Sequence, residues 1–185
     1  NTAQAAVLNT AQAAALDTAQ AAKLESTDLQ NLRTNAISAL TTAVVAKLTA
    51  TQVGALTSVQ VGGLSTTQAA ALTTQQLKDL GTAQALGLKD TQLRAVSSSD
   101  LQKLNTSAVE LLTTSALLGL SGAQVGALNT AQVVALNTAQ AAVLNTAQAA
   151  GLTSAQLQKM QTTDLQKLST TAVSRLDADS LVGLS

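Results

Sequence analysis

The sequence predicts an all-α fold, an α-solenoid built as a superhelical rod of 23 eight-residue units with one short capped helix in each unit. Three observations predict it: the register runs from Asn1 without an insertion, apolar residues occupy two fixed positions of every unit, and helix-capping residues open most units. We therefore expect residues 1–185 to form a single continuous octad-repeat array, a segment of a longer chain.

Two columns of apolar residues define the predicted core. The eighth position of each unit is Leu except at Val96 and Met160, and the fifth is always Ala, Val, Leu or Ile. The chain contains no Cys, His, Pro, Trp, Tyr or Phe, so this core must be filled by aliphatic side chains alone. Positions six and seven are mostly small, which favours close approach of neighbouring backbones.

Two simpler structures fit the eight-residue period poorly. In one continuous α-helix the Leu column would rotate by about 80° per unit and face no consistent direction. In a simple strand, positions five and eight would point to opposite faces. The helix is therefore predicted to break and restart in every unit. A β-solenoid is the alternative, because Thr-rich stretches such as residues 49–64 tolerate strand geometry.

Capping residues show where each helix begins. The first position is Asn, Asp, Ser or Thr in eighteen units, and these are favoured N-cap residues. Gln or Asp stands three residues later in seventeen units and is predicted to reach back to the N-cap amide as a capping box. The preceding Leu and the fifth residue then form a hydrophobic staple.

Charges and glycines agree with the same register. Eight of the ten acidic residues lie at positions one to four and eight of the ten basic residues at positions six and seven, as the helix dipole favours. Eight of the ten glycines also lie at positions six or seven, where we expect them to end the helix and bend the chain.

A longer pattern overlies the octads. The motif Asp-Leu-Gln-x-Leu occurs three times, and the unit after each occurrence carries Ala in place of Gln. We interpret these marks as traces of duplication rather than a binding stripe. The motifs begin at Asp28, Asp100 and Asp164, and the replacements are Ala36, Ala108 and Ala172.

The sequence predicts no catalytic, cofactor-binding or metal-binding residue, and no cofactor. Without His or Cys, the candidates for proton transfer or nucleophilic attack are carboxylates, Lys and hydroxyls, and no base recurs beside a hydroxyl. Asp177 and Asp179 form the closest acidic pair and are predicted to be solvated near a helix start. The three motif aspartates are predicted to act as N3 caps.

Two further motifs are weak. Gly62-Gly63 resembles no phosphate-binding loop, because no GK[ST] element and no strand accompanies it. Asn105-Thr106-Ser107 matches the motif of a glycosylation acceptor. One such match is expected by chance in a chain rich in Asn and Thr.

Charge and hydropathy limit the possible partners. Ten basic and ten acidic residues cancel, so we expect no nucleic-acid partner. No run reaches the roughly 18 apolar residues of a membrane span, so we expect no membrane insertion. We expect no small-molecule substrate. We do expect self-association, either end-to-end or lateral, or contact with other surface components. The alternative is a protein- or glycan-binding solenoid, although aromatic anchors are absent.

The units Leu-Thr-Thr-x-Gln and Leu-Asn-Thr-Ala-Gln, repeated every eight residues, resemble the octapeptide arrays of very large bacterial surface proteins, such as adhesins, haemagglutinins and haem-utilisation proteins. The resemblance covers the whole chain and supplies no site residue. It implies an extracellular or cell-surface stalk, spacer or fibre. Haem binding does not follow, since only Met160 could ligate iron. We therefore expect a structural, non-catalytic array.

Overall fold

The computed structural model describes residues 2–174 and 176, with only the backbone of Thr2, and it confirms the all-α class. The described part contains twenty-two short helices and no strand, so the β-solenoid alternative is wrong. The helices are α1 (Thr2–Ala6), α2 (Thr10–Ala14), α3 (Thr18–Ala22), α4 (Ser26–Asn31), α5 (Thr34–Ala39), α6 (Thr42–Lys47), α7 (Ala50–Gly54), α8 (Ser58–Gly63), α9 (Thr66–Ala70), α10 (Thr74–Lys78), α11 (Thr82–Ala85), α12 (Asp90–Ala95), α13 (Ser98–Leu101), α14 (Thr106–Leu111), α15 (Thr114–Leu117), α16 (Gly122–Ala127), α17 (Thr130–Val134), α18 (Thr138–Val143), α19 (Thr146–Ala150), α20 (Ser154–Leu157), α21 (Thr162–Leu165) and α22 (Thr170–Val173).

Eight of the described helices end where two consecutive residues, at position eight and at the next N-cap, adopt extended backbone angles. Leu64, at position eight, has φ −60° and ψ 139°, and the next N-cap, Ser65, has φ −68° and ψ 162°. Two extended residues interrupt the helical hydrogen-bond ladder and turn the chain into the next helix. No described glycine has a positive φ, so the turns between helices do not depend on a left-handed residue.

The helices wind into a coil in which each one packs against the third helix along the chain. The pairs α5 with α8, α8 with α11, and α11 with α14 are examples. Hydrogen bonds between coils join residues that are 25 to 31 apart in sequence. One coil therefore contains more than three and fewer than four octads, a number that the sequence alone does not give.

Three positions of the octad face the interior. The columns at positions five and eight are buried as predicted, for example at Leu77 and Leu80. Position four is buried as well, and in most octads it is Gln, as at Gln76. The buried apolar residues form one continuous cluster along the rod. A helix of four to six residues is far too short to persist alone in water, so each octad depends on this shared core.

The glycines at position seven allow adjacent coils to touch. A Cβ atom on Gly87 would overlap the backbone carbonyl of Ser58, and one on Gly119 would overlap that of Asp90. In both cases position seven of one octad lies against position two of the octad three units earlier. The predicted close approach of backbones is therefore confirmed, and it is the reason for glycine at these sites.

We predict that Gly87→Ala lowers the free energy of unfolding by about 1–3 kcal/mol, because the new methyl group must displace the Ser58 backbone. Gly54→Ala is the control. Its Cβ would lie an ordinary 3.8 Å from the Asp79 carbonyl oxygen, and alanine favours the helix by about 0.5–1 kcal/mol. Urea denaturation followed by circular dichroism compares the two. Equal effects would contradict the packing explanation.

Candidate functional site

The predicted capping boxes form in eleven octads of the described part. In a representative octad, the Asn145 side-chain oxygen accepts a hydrogen bond from the backbone N–H of Gln148 at 3.0 Å. In return, Gln148 Oε1 accepts from the backbone N–H of Asn145, also at 3.0 Å. Each box supplies acceptors for two amides of the first turn that the helix cannot satisfy itself.

The same glutamine has a second function, which the sequence analysis missed. Gln148 Nε2 donates to the carbonyls of Leu117 and Leu120, both at 2.8 Å, on the preceding coil. These carbonyls belong to positions five and eight of the octad four units earlier. They lie at the C-terminal end of α15, where the helix has no further amides to offer. One side chain therefore caps the start of its own helix and the end of another.

Eleven buried glutamines repeat this inter-coil contact, and we call the set the glutamine ladder. In each, Nε2 donates to the position-eight carbonyl of the preceding coil at 2.6–2.8 Å. The members are Gln52, Gln60, Gln68, Gln76, Gln84, Gln92, Gln124, Gln132, Gln140, Gln148 and Gln156.

Only a glutamine at position four meets both requirements of this site. The contact needs an acceptor for the N-cap amide and, on the same group, N–H donors for two carbonyls. Glutamate of the same length has no donor, and its charge would face carbonyl oxygens in a buried place. Buried polar groups that are fully hydrogen-bonded rigidify a core, so the ladder fixes the spacing between coils.

The ladder is interrupted wherever the overlying motif occurs. Each interruption begins with Asp at position four and continues with Ala or Val at the same position of the next octads. An interruption of three octads spans most of one coil. The substituted positions in the described part are Asp28, Ala36 and Val44, then Asp100, Ala108 and Ala116, then Asp164 and Ala172.

One asparagine partly bridges the central interruption. Asn105 Nδ2 donates to the carbonyls of Lys78 at 3.0 Å and Leu80 at 2.6 Å, in place of the missing glutamine of its octad. Its side-chain oxygen also caps α14 by accepting from Ala108. The amide that glycosylation would modify is thus already committed to the coil contact, which argues against Asn105 as an acceptor.

The three motif aspartates do not act as the predicted N3 caps. None of them accepts a hydrogen bond from its N-cap amide, because the aspartate side chain is one methylene shorter than glutamine. Asp164 Oδ1 instead accepts from Thr138 Oγ1 on the preceding coil at 2.7 Å. Asp100 Oδ2 accepts from Ser97 Oγ at 2.6 Å. Asp28 is buried, and its Oδ1 has no hydrogen-bond partner within the described structure.

Gly62 and Gly63 line a surface groove of about 370 Å³. Val59 and Leu86 form its apolar part, and they are 68% and 52% exposed. Thr34, Ser58, Gly87 and Lys89 complete the lining.

The other sequence candidates do not converge on a reactive centre. Met160 is buried at position eight of its octad, and Asp177 and Asp179 lie outside the described residues. Within the described part, no group of three or more His, Cys, Asp or Glu side chains could hold a metal ion. None of the described helices has the length and apolar character needed to cross a bilayer.

Comparison with known proteins identifies the repeat. The family model of the ALTTAQ repeat matches residues 21–58 and 126–162. Those six letters correspond to positions seven and eight of one octad and positions one to four of the next, so the model includes the ladder glutamine. A search of curated proteins finds no match to this sequence.

We predict that Gln148→Glu lowers the free energy of unfolding by about 2–4 kcal/mol, because it keeps the size and the N-cap acceptor but removes both donors from buried carbonyls. The matched control is Gln12→Glu. Its octad differs from that of Gln148 only at position seven, but Gln12 is exposed, so we expect a change within about 0.5 kcal/mol. Thermal and urea melts measure both, and a similar cost at the two positions would show that only capping matters.

Proposed function

We propose that this chain is a structural, non-catalytic repeat protein that serves as an extracellular stalk, spacer or filament-forming segment of a bacterial adhesin or surface fibre. The glutamine ladder carries the proposal. It connects each coil to the one before it through buried hydrogen bonds, at the same octad position along most of the array. A chain whose repeated polar contacts all join successive coils is suited to holding a fixed length.

The direction of these contacts supports a load-bearing role. Each ladder glutamine bonds at least two carbonyls of the preceding coil, and outside the interruptions several octads contribute to one coil boundary. Separating two coils therefore requires several buried hydrogen bonds to break together with the contacts of the Leu column. Bonds that share a load in this way resist extension better than bonds that open one after another.

The surface supports the same proposal. Positions one to three, six and seven are mostly exposed and carry chiefly Thr, Ser, Asn, Ala and Gly. Residues 111–158 contain no charged side chain at all. A uniform, weakly charged surface offers little for nucleic acid or a charged substrate. The composition, without His or Cys, also favours a non-catalytic role.

Self-association belongs to the proposal. The exposed positions of the octads present a weakly charged surface of Thr, Asn and Ala side chains, against which a second copy of the repeat can pack laterally. We expect sedimentation velocity to show concentration-dependent association. A sedimentation coefficient that does not change with concentration would contradict self-association.

A protein- or glycan-binding module is the second candidate, and the groove beside Val59 and Leu86 favours it. Scattered apolar side chains are common on surfaces, but here two of them flank a concavity with hydroxyl groups at its edge. Binding to a glycan array or a protein library that is lost in Leu86→Ser and kept in Leu118→Ser, an exposed leucine outside the groove, would support this function.

Duplication of residues 113–152 tests the spacer role. These five octads contain four ladder glutamines, and we expect small-angle scattering to show a longer particle with an unchanged cross-section. The control is an insertion of four residues after Leu152, which shifts the register by half an octad and should disrupt the coil beyond it. A duplicated chain that grows wider instead of longer would contradict the proposal. In intact cells of the source organism, a tag on the array should be accessible to protease without lysis.

A further inference from the structure

The interruption of the ladder at Asp164 opens a cavity that no predicted site accounts for. The cavity measures about 340 Å³ and lies between α17, α18 and α21. Asp164, Glu110, Thr138 and Gln161 contribute to its lining, together with Ala135 and Leu136 at the end of α17. It occupies the place where a ladder glutamine would approach the preceding coil.

A neighbouring octad shows what is missing here. Gln156 Nε2 donates to the carbonyls of Val125 at 3.0 Å and Leu128 at 2.7 Å. In the next octad the equivalent position is Asp164, and the equivalent carbonyls are those of Val133 and Leu136. No described side chain donates to the Leu136 carbonyl, since Asp164 stands where the glutamine would be. The cavity is therefore lined by the Leu136 residue, whose carbonyl lacks its usual side-chain N–H donor.

The lining of the cavity is acidic, although the side-chain amides of Asn137 and Gln161 and the hydroxyl of Thr138 also belong to it. Asp164 is only 4% exposed, and its Oδ1 accepts from Thr138 Oγ1 at 2.7 Å. Glu110 is the second acidic residue of the lining, and no basic residue contributes to it. The C-terminal end of a helix adds partial negative charge from its last carbonyls. A buried carboxylate beside uncapped carbonyls favours a positively charged donor.

We propose that this cavity binds an organic cation that carries N–H donors, a primary ammonium or a guanidinium group. The cation takes the place of the glutamine amide, donating to the Asp164 carboxylate and the Leu136 carbonyl. A free amine and the tip of a lysine or arginine side chain share this chemistry. A multidentate metal ion fits less well, because the described residues contain no group of three or more acidic side chains. The inference does not depend on the spacer role.

The central interruption provides a matched control. Asp100 is partly exposed, and Ser97 already donates to its carboxylate at 2.6 Å. In the following octad, Asn105 donates to the Lys78 and Leu80 carbonyls. Asp100 thus has the same sequence motif as Asp164 without the buried carboxylate, so a variant of Asp100 separates the motif from the site.

Titration of the 185-residue chain with n-butylammonium chloride, followed by amide chemical shifts in NMR spectra, tests the proposal. We expect saturable shifts around Leu136 and Asp164, at least about tenfold weaker binding in Asp164→Asn, and no change in Asp100→Asn. Asp164→Gln should abolish binding and raise the melting temperature, because it restores the ladder contact. The melt of Asp164→Gln also shows whether this variant folds, which it must do before the introduced glutamine can make the ladder contact.

Two comparisons identify the ligand. Tetramethylammonium has the charge but no N–H donor and should not bind. The second comparison uses an N-terminally acetylated peptide with a free lysine side chain. Stronger binding of n-butylammonium than of this peptide points to a free amine as the ligand, and stronger binding of the peptide points to a lysine side chain of a protein. Equal binding of tetramethylammonium, displacement of n-butylammonium by stoichiometric calcium, or unchanged affinity in Asp164→Asn would each overturn the proposal.

Discussion

The bifunctional glutamine at position four is the contact on which the rest of this structure depends. A helix of four to six residues leaves most of its backbone groups without partners inside the helix, at both ends. The Oε1 atom satisfies an amide at one helix start, and Nε2 satisfies carbonyls at another helix end on the preceding coil. Where the ladder is present, it gives these buried backbone groups the partners that a short helix cannot supply. The short helices therefore depend on the coil, because groups on neighbouring coils satisfy the backbone at their ends.

Local features of this fold were predictable from the sequence because they depend on residues three or four positions apart. The capping half of the glutamine contact, as in Asn145 and Gln148, is one of these, and the Leu column is another. The other half joins Gln148 to residues 28 and 31 positions earlier. Its prediction requires the number of octads per coil, which depends on how whole octads stack and is not encoded in any single one.

Two residue types were misread for the same reason. Gly87 was expected to end a helix and bend the chain, but the space it leaves for the Ser58 carbonyl on the neighbouring coil explains it. Asp164 was expected to cap its own helix, but its carboxylate accepts a hydrogen bond from the Thr138 hydroxyl on the preceding coil. In both cases the residue was assigned a local role because its real neighbour lies about 26 to 29 residues away. The expectation that the chain has no catalytic site rests on composition and stays a prediction.

The eight-residue register has an evolutionary consequence. Adding or removing one whole octad moves every later glutamine by a full unit, so each still meets carbonyls of the same kind on the coil before it. Adding a single residue would bring position three or five opposite those carbonyls and would leave the coil boundary without donors. Recombination between octads can thus change the length of such a gene freely, provided that it proceeds in steps of 24 nucleotides. The interruptions at Asp28, Asp100 and Asp164 are separated by whole numbers of octads, and we interpret them as marks of segments copied as units, which lengthens the rod and keeps its cross-section.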